Sequence, residues 1–496
     1  MGVTIMQQHK NILIIICDQL SATALSAYGN TYSDTPNLDR LAAGSAVMEY
    51  AYTSCPLCQP ARASFWTSRY PHQTGVLSNL PDQGFPAVSD GIPTLGELFS
   101  RAGYDCVHFG KTHDYGALRG FQVIESEEIH VPRTNPAIKF DYETFLDIDT
   151  TEKSVQYLTS KPEGPFLMVS DLQNPHNICA YIGEHSEGYG DFPLERELPP
   201  LPENYDFDDI ANRPEFIRYL CCAHRRQRQA SGWKEDDFRH YLYAYYYYLA
   251  MVDKQIGQIL EALAESGAAD QTMVVFLADH GEGVASHQLV TKYGAFYEET
   301  NRVPFFFSLP AGDNKSGTPG SCNKNAAPLS KKQNRIGGIT SLLDLVPTLL
   351  DYAGIPCPAG VEGISLMPQI TGAKTRSDRT AAVAEWYDEF RDYTVPGRMI
   401  CDEEYKYICY LEPDSEELYD MKRDRYEKTN LAGKQEYAPV LERYRSLLKQ
   451  HLKKSDDPFF TLKTAGTAGY RRHPLGFEHH QGLSAVEKYA LEIKRK

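Results

Sequence analysis

Two short apolar runs, each closed by a carboxylate, restrict what this chain can fold into more than any other feature of it. Residues 11–17 read Asn-Ile-Leu-Ile-Ile-Ile-Cys and end at Asp18; residues 272–278 read Thr-Met-Val-Val-Phe-Leu-Ala and end at Asp279 and His280. Runs this rich in β-branched residues, without polar alternation, suit strands buried on both faces, as in parallel or mixed sheets with helices on either side. Each run delivers a carboxylate at its carboxyl end, and in open α/β sheets that edge is where ligands bind. A strand-end Asp can instead cap the helix that follows, and Asp18 alone reads that way. Two such ends in one chain favour convergence on a cation, because neither charge is then buried unpaired.

Helical patterns lie at 37–43, 94–102 and 236–263. In the longest, the tyrosines of 243–248 precede Val252, Ile256 and Ile259 at helical spacing, so they read as core rather than as a ligand platform. Residues 310–335, rich in Gly, Pro, Ser, Asn and Lys, read as a surface loop. After a helix at 341–353 and the turn-rich Gly354-Ile-Pro-Cys-Pro358, short strands at 381–386 and 406–411 precede an amphipathic helix at 437–452. The pattern divides the chain into a large α/β domain over 10–372, a smaller α+β subdomain over 373–457, and an extension over 458–496 of unassigned role.

The charge balance limits the partners. The 496 residues carry 50 Lys and Arg against 66 Asp and Glu, a net charge of −16. A nucleic-acid surface works by replacing phosphate counterions with Lys and Arg, so nucleic acid is excluded as the main partner. The basic cluster Arg225-Arg226 with Arg228 reads as a solvated helix face. Eleven cysteines, an odd number without regular spacing, imply no disulfide framework. Residues 1–10 are polar and the first apolar run is far shorter than the ~20 residues a membrane span needs. The expectation is a cytoplasmic chain without a membrane partner, with export the alternative if a signal has been removed.

The most specific segment is Ser54-Cys55-Pro-Leu-Cys58-Gln-Pro60-Ala61-Arg62-Ala-Ser64, continuing to Thr67-Ser68-Arg69. Cys55-x-x-Cys58 on its own permits a thiol redox or binding protein. Cys58-x-Pro60-x-Arg62, however, resembles the signature of the type I sulfatases, the formylglycine-dependent branch of the alkaline-phosphatase-like superfamily. Ala61 departs from the Ser most common there and leaves Cys, Pro and Arg intact. The other family segments follow in order: 35–42, Gly110-Lys111-Thr112-His113, Asn174-Pro175-His176, Ala278-Asp279-His280-Gly281-Glu282 with His287 and Lys292, and distal elements at 344–356 and 417–432. The resemblance spans roughly 11–450.

The resemblance implies an α/β, alkaline-phosphatase-like fold: a large, mixed, mostly parallel sheet between helices, plus a C-terminal α+β subdomain with a short antiparallel sheet. It implies one calcium ion bound by Asp18, Gln19, Asp279, His280 and the modified Cys58. Many members have Asp at the place of Gln19 and Asn at that of His280, and calcium tolerates such mixed donor sets. It further implies that a formylglycine-generating or sulfatase-maturating enzyme oxidises Cys58 to formylglycine (3-oxoalanine), whose hydrate attacks the sulfate ester sulfur. Arg62 would hold that nucleophile, Lys111 and Lys292 the sulfuryl oxygens, and His113, His176 and His287 would contact the nucleophile or the leaving oxygen and move protons. His72, His130 and His224 read as ordinary core or surface histidines. The implied activity is a sulfatase acting on a small sulfated substrate, with a saccharide such as a glycosaminoglycan fragment preferred over choline or aryl sulfate. A phosphonate monoester or phosphodiester hydrolase is the alternative within the superfamily. Arg471-Arg472-His473 and His479-His480 offer a cover for an acidic glycan, a solvated tail or a homo-oligomer contact.

Overall fold

The structure, a computed structural model, describes residues 10–79, 86–126, 142–186, 188, 192–206, 209–223, 225–230, 232–310, 335–387 and 395–462. Most of the 310–335 loop, most of the C-terminal extension with its basic and histidine pairs, His130 and His224 lie outside these residues.

Eight strands form the main sheet: β1 Asn11–Asp18, β2 Ala46–Tyr52, β3 Asp105–Gly110, β4 Gln122–Ile124, β5 Phe166–Pro175, β6 Thr272–Ala278, β7 Phe305–Ser308 and β8 Arg335–Ser341, in the order β4-β3-β5-β1-β6-β7-β2-β8. β7 alone runs against its neighbours; every other pairing in this sheet is parallel. The two apolar runs are thus adjacent central strands, paired from Asn11–Thr272 to Cys17–Ala278. Every residue of both is buried. The five side chains of Ile12 to Ile16 have no exposed surface, and each contributes about 2 kcal/mol by leaving water.

Helices Tyr142–Thr159 and Glu235–Ser266 pack on one another and on β5. The second begins with Glu235, Asp236 and Asp237, which complement the positive end of its dipole, and stops at Gly267 with φ +80°. Tyr241, Tyr245 and Tyr248 are buried along it. Tyr245 is more than core: its hydroxyl donates to the Gln19 carbonyl at 2.7 Å and accepts from the Ser21 amide at 3.1 Å, holding the turn that leaves β1.

A second sheet, antiparallel in the order β12-β11-β10-β9, contains β9 Ala382–Trp386, β10 Gly397–Cys401, β11 Tyr405–Tyr410 and β12 Glu416–Asp420. Its side chains alternate between two cores. Val383, Ile400, Tyr407 and Leu418 meet Leu441, Tyr444, Leu448 and Leu452 of helix Ala438–Lys454. Ala384, Met399, Ile408 and Tyr419 meet Tyr52, Leu57, Phe216 and Phe296 of the larger unit. The small sheet is therefore a filling between its own helix and the main domain. Buried ion pairs reinforce the join: Lys406 with Glu298 at 2.9 Å and Glu427 at 2.7 Å, and Arg213 with Glu417 at 3.2 Å. No helix among the described residues is long and apolar enough to cross a membrane.

Candidate active site

Asp18 at the end of β1 and Asp279 just past β6 lie side by side at the carboxyl edge of the sheet. Facing them is Cys58, the first residue of helix Cys58–Thr67, where the unpaired amides and helix dipole favour negative charge. Ligand atoms of Asp18, Cys58, Asp279 and His280 all lie within 4.8 Å of one another, and all four residues are buried. His280 directs Nδ1 to the Gly281 carbonyl at 2.9 Å, which leaves Nε2 turned towards Cys58 Sγ at 3.1 Å.

Arg62, one helical turn beyond Cys58, touches three carboxylates: Nε to Asp279 at 2.9 Å, Nη1 to Asp171 at 2.6 Å and Nη2 to Asp18 at 3.4 Å. These three carboxylates are its partners in this structure. Arg62 binds the Oδ2 atoms of Asp18 and Asp279, while their Oδ1 atoms face His280 at 3.9 and 3.7 Å. It aims the carboxylates inward.

Lys111 follows β3 and pairs with Asp18. The turn that presents it requires glycine: Gly110 has φ +99°, and a Cβ there would stand 2.1 Å from the Asp171 carbonyl. Against burial, Asp18 and Cys58 push the Lys111 ammonium up to about 12. Lys292 donates to Gln19 Oε1 at 2.7 Å, Cys58 Sγ at 3.0 Å and His280 Nε2 at 3.1 Å. Burial and Asp18 push the Cys58 thiol up, but Lys292, His280 and Lys111 outweigh them and hold it well below its usual range. Burial likewise opposes the charge on Asp18, and Lys111, His176, Lys292 and Arg62 reverse it, keeping that carboxyl well below the usual carboxylate range.

His176 stands at the open side, half-buried after β5, close enough to lower Asp18 and to hydrogen-bond Cys179. His113 leaves the turn of Lys111 two residues on and is also half-buried. His287 goes elsewhere. Its amide donates to the Asn204 carbonyl at 2.8 Å and its ring lies on Tyr297 with centroids 4.3 Å apart. Burial, with Arg213 and Lys406 nearby, holds it well below the usual histidine range. The structure thus surrounds His287 with Asn204, Tyr297, Arg213 and Lys406 near the join between the two sheets.

Two site carboxylates escaped the sequence reading. Asp171 lies inside β5, a lone acid between apolar residues, and Glu282 follows the Asp279-His280 pair and bonds the Gln19 amide. Four carboxylates, Asp18, Asp171, Asp279 and Glu282, therefore meet three cations, Arg62, Lys111 and Lys292. Buried charge of this kind is matched by ion pairs or metal, so the donor set fits a divalent cation bound by Asp18, Asp279, His280 and the residue at 58. Gln19 is turned to Lys292, Cys179 and Glu282; to ligate, its amide oxygen must exchange the ammonium for the cation.

A mixed, mostly parallel sheet that presents a buried Asp/Cys/His group at its carboxyl edge is the architecture of the alkaline-phosphatase-like hydrolases. Within that class the chain belongs to the sulfatase family, whose model matches residues 10–355, and it is a sulfuric ester hydrolase. The model of the C-terminal part of N-sulphoglucosamine sulphohydrolase matches residues 290–454. A Delta 4,5-hexuronate-2-O-sulfatase of Bacteroides thetaiotaomicron is 41% identical over 97% of this chain and 96% of its own. The solved structure of a 2-O GAG sulfatase superposes with a TM-score of 0.83 at 42% identity, covering 92% of this chain and 95% of that one. A phosphonate monoester hydrolase of Agrobacterium radiobacter, at 22% identity and TM-score 0.70 over 91% and 97% of the two chains, shares the fold.

Proposed function

We propose that this sulfatase removes the 2-O-sulfate ester from a hexuronic acid residue of a glycosaminoglycan-derived saccharide. It does so with formylglycine made from Cys58 by a maturation enzyme and with calcium held by Asp18, Gln19, Asp279 and His280. The observation that carries the substrate is the 41% identity, over nearly the full length of both chains, to a protein named for that reaction. The modified residue supplies a hydroxyl nucleophile and the cation supplies Lewis-acid stabilisation of the sulfuryl oxygens.

The chain's own residues do the rest. Arg62 fixes Asp18 and Asp279 for the cation. Lys111 and Lys292 are charged well above neutral pH and stand beside position 58, ready to hold the sulfuryl oxygens as negative charge grows on them. His113 and His176, both half-buried, would give a proton to the leaving sugar oxygen.

The test uses the full chain matured with a formylglycine-generating enzyme. Turnover is compared on a 2-sulfated unsaturated hexuronate disaccharide, glucosamine 6-sulfate, choline sulfate, an aryl sulfate and an aryl phosphonate monoester. The hexuronate is expected to lead in kcat/KM by at least about 100-fold; a lead of that size for any other substrate overturns the proposal. Peptide mass over residues 53–69 is expected to show an aldehyde in place of the thiol, and elemental analysis one calcium per chain.

A further inference from the structure

The basic cluster at 225–228 is not a solvated helix face throughout. Arg226, in the short helix Arg225–Gln229, turns inward and donates from Nη1 to the Cys179 carbonyl at 3.0 Å. Its guanidinium also meets the Tyr293 hydroxyl. Both partners adjoin the reacting centre. Cys179 Sγ lies 3.3 Å from Gln19 Nε2, and Tyr293 follows Lys292, whose ammonium touches Cys58. Arg226 therefore stands one layer out from the sulfuryl-holding cations, on the side where His176 is half-open to solvent.

The Arg226 charge lowers the Cys179 thiol and is felt by Glu282. Among the described residues it forms no ion pair. The nearest carboxylate, Glu282, already accepts from the Gln19 amide and from the Gly283 amide at 2.8 Å. Arg226 is half-buried, and beyond the Nη1 bond to a carbonyl and the contact with a hydroxyl its guanidinium has further donors in a planar fork that matches a carboxylate in two parallel hydrogen bonds. The sulfate group is already provided with Lys111, Lys292 and the cation site. A second anionic group on the same substrate is what Arg226 can add.

We propose that Arg226, with the Tyr293 hydroxyl, receives the carboxylate of the uronic acid ring whose sulfate lies at Cys58, and so selects acidic over neutral sulfated sugars. The proposal rests on the hexuronate reading above and supplies its recognition element. A neutral sulfated hexose would leave the guanidinium desolvated without a partner, which is where discrimination of this kind arises.

The experiment measures kcat/KM of the matured full-length enzyme on the 2-sulfated hexuronate disaccharide and on its carboxyl-reduced counterpart, which differs only in bearing a hydroxymethyl group. The wild type is expected to prefer the acid by about 10- to 100-fold, the range of a charge-assisted hydrogen bond. Arg226→Ala should cut kcat/KM on the acid by a similar factor, mainly through KM, and bring the preference close to one. Arg226→Lys should retain part of it, because it keeps the charge and loses the fork. If Arg226→Ala lowers both substrates equally, the residue only supports the fold of the site and the proposal is overturned. A wild type active on the acid without preference overturns it too, while leaving the hexuronate function intact. A wild type that hydrolyses neither substrate overturns the hexuronate reading and this role together.

Discussion

At the carboxyl ends of β1 and β6, Asp18, Cys58, Asp279 and His280 bring their ligand atoms within 4.8 Å of one another; at the join between the two sheets His72, Glu385 and Asp457 do the same. By proximity the groups are equivalent, and their surroundings separate them. Arg398 grips Asp457 with Nε at 2.7 Å and Nη2 at 2.9 Å and lies 3.8 Å from Glu385. His72 gives Nδ1 to Glu385 at 2.6 Å and Nε2 to the Ser455 carbonyl at 2.9 Å. Two carboxylates thus meet one arginine and one histidine, and the charge is matched by the protein itself. At the strand ends Asp18, Asp171, Asp279 and Glu282 meet Arg62, Lys111 and Lys292, and Arg62 holds the outer oxygens of Asp18 and Asp279 while their inner ones face His280. The first arrangement locks two sheets together; the second leaves work for a cation.

The largest effects expected are on the strand-end group. Cys58→Ala should lower turnover by more than about 10³-fold, because no other side chain there can replace the nucleophile. The fold should persist, with the unfolding midpoint within about 2 °C of wild type, since alanine suits the first turn of helix Cys58–Thr67. Retention of more than a few per cent of activity would contradict the role given to Cys58. Asp279→Ala should remove bound metal and lower turnover by a comparable factor, read by elemental analysis and kinetics. His72→Ala should leave metal content unchanged, and metal lost from His72→Ala instead would reverse the assignment of the two groups.

Next in size is the locking group. Arg398→Met strips Glu385 and Asp457 of their fixed cation in a place where all three side chains are at most 2% exposed. Breaking a buried pair from one side costs about 3–5 kcal/mol, because the remaining charge is stranded. Urea unfolding should register that loss, and adding Asp457→Asn should restore part of it as a coupling between the two sites. A loss below about 1 kcal/mol would mean the group is solvated and structurally idle.

Which parts of this were legible in the sequence depends on how local the information is. Asp18 and Asp279 end contiguous apolar strands, and Cys58 sits in a contiguous motif, so a pattern running along the chain reaches them. Asp171 has only a weak local signal, a single acid between Val169-Ser170 and Leu172 in a largely apolar strand. The surroundings of His287 are not legible from its proximity to Lys292 in sequence, because the backbone turns sharply there: Val284, Ala285, His287, Gln288 and Tyr293 all have positive φ. Arg226 looked like any charged helix face because its partners, Cys179 and Tyr293, lie 47 and 67 positions away. The join is the extreme case. Lys406 is fully buried between Glu298 and Glu427, and a lysine in a short strand gives no sign that its partners come from both sides of the join.

The smallest effect concerns His72 itself. Burial would lower its pKa, but the hydrogen bond and charge of Glu385, the Ser455 carbonyl and Asp457 raise it from 6.5 to about 8. Arg398 and His451 face the same carboxylates and oppose that rise without cancelling it. A folded-state pKa above the unfolded value means that the protonated form stabilises the fold. Its contribution is complete below about pH 6.5 and disappears as pH rises through about 8. A rise from 6.5 to about 8 corresponds to about 2 kcal/mol. The difference in unfolding free energy between wild type and His72→Gln should therefore shrink by about that amount between pH 6 and pH 9. A difference that stays level across this range would show that folding leaves the His72 pKa unchanged, and one that grows with pH would show that His72 is neutral in the folded protein. Glu385 and Asp457 would then have only Arg398 to balance them, and the join would resemble the strand-end group in having an unmatched carboxylate to offer a cation.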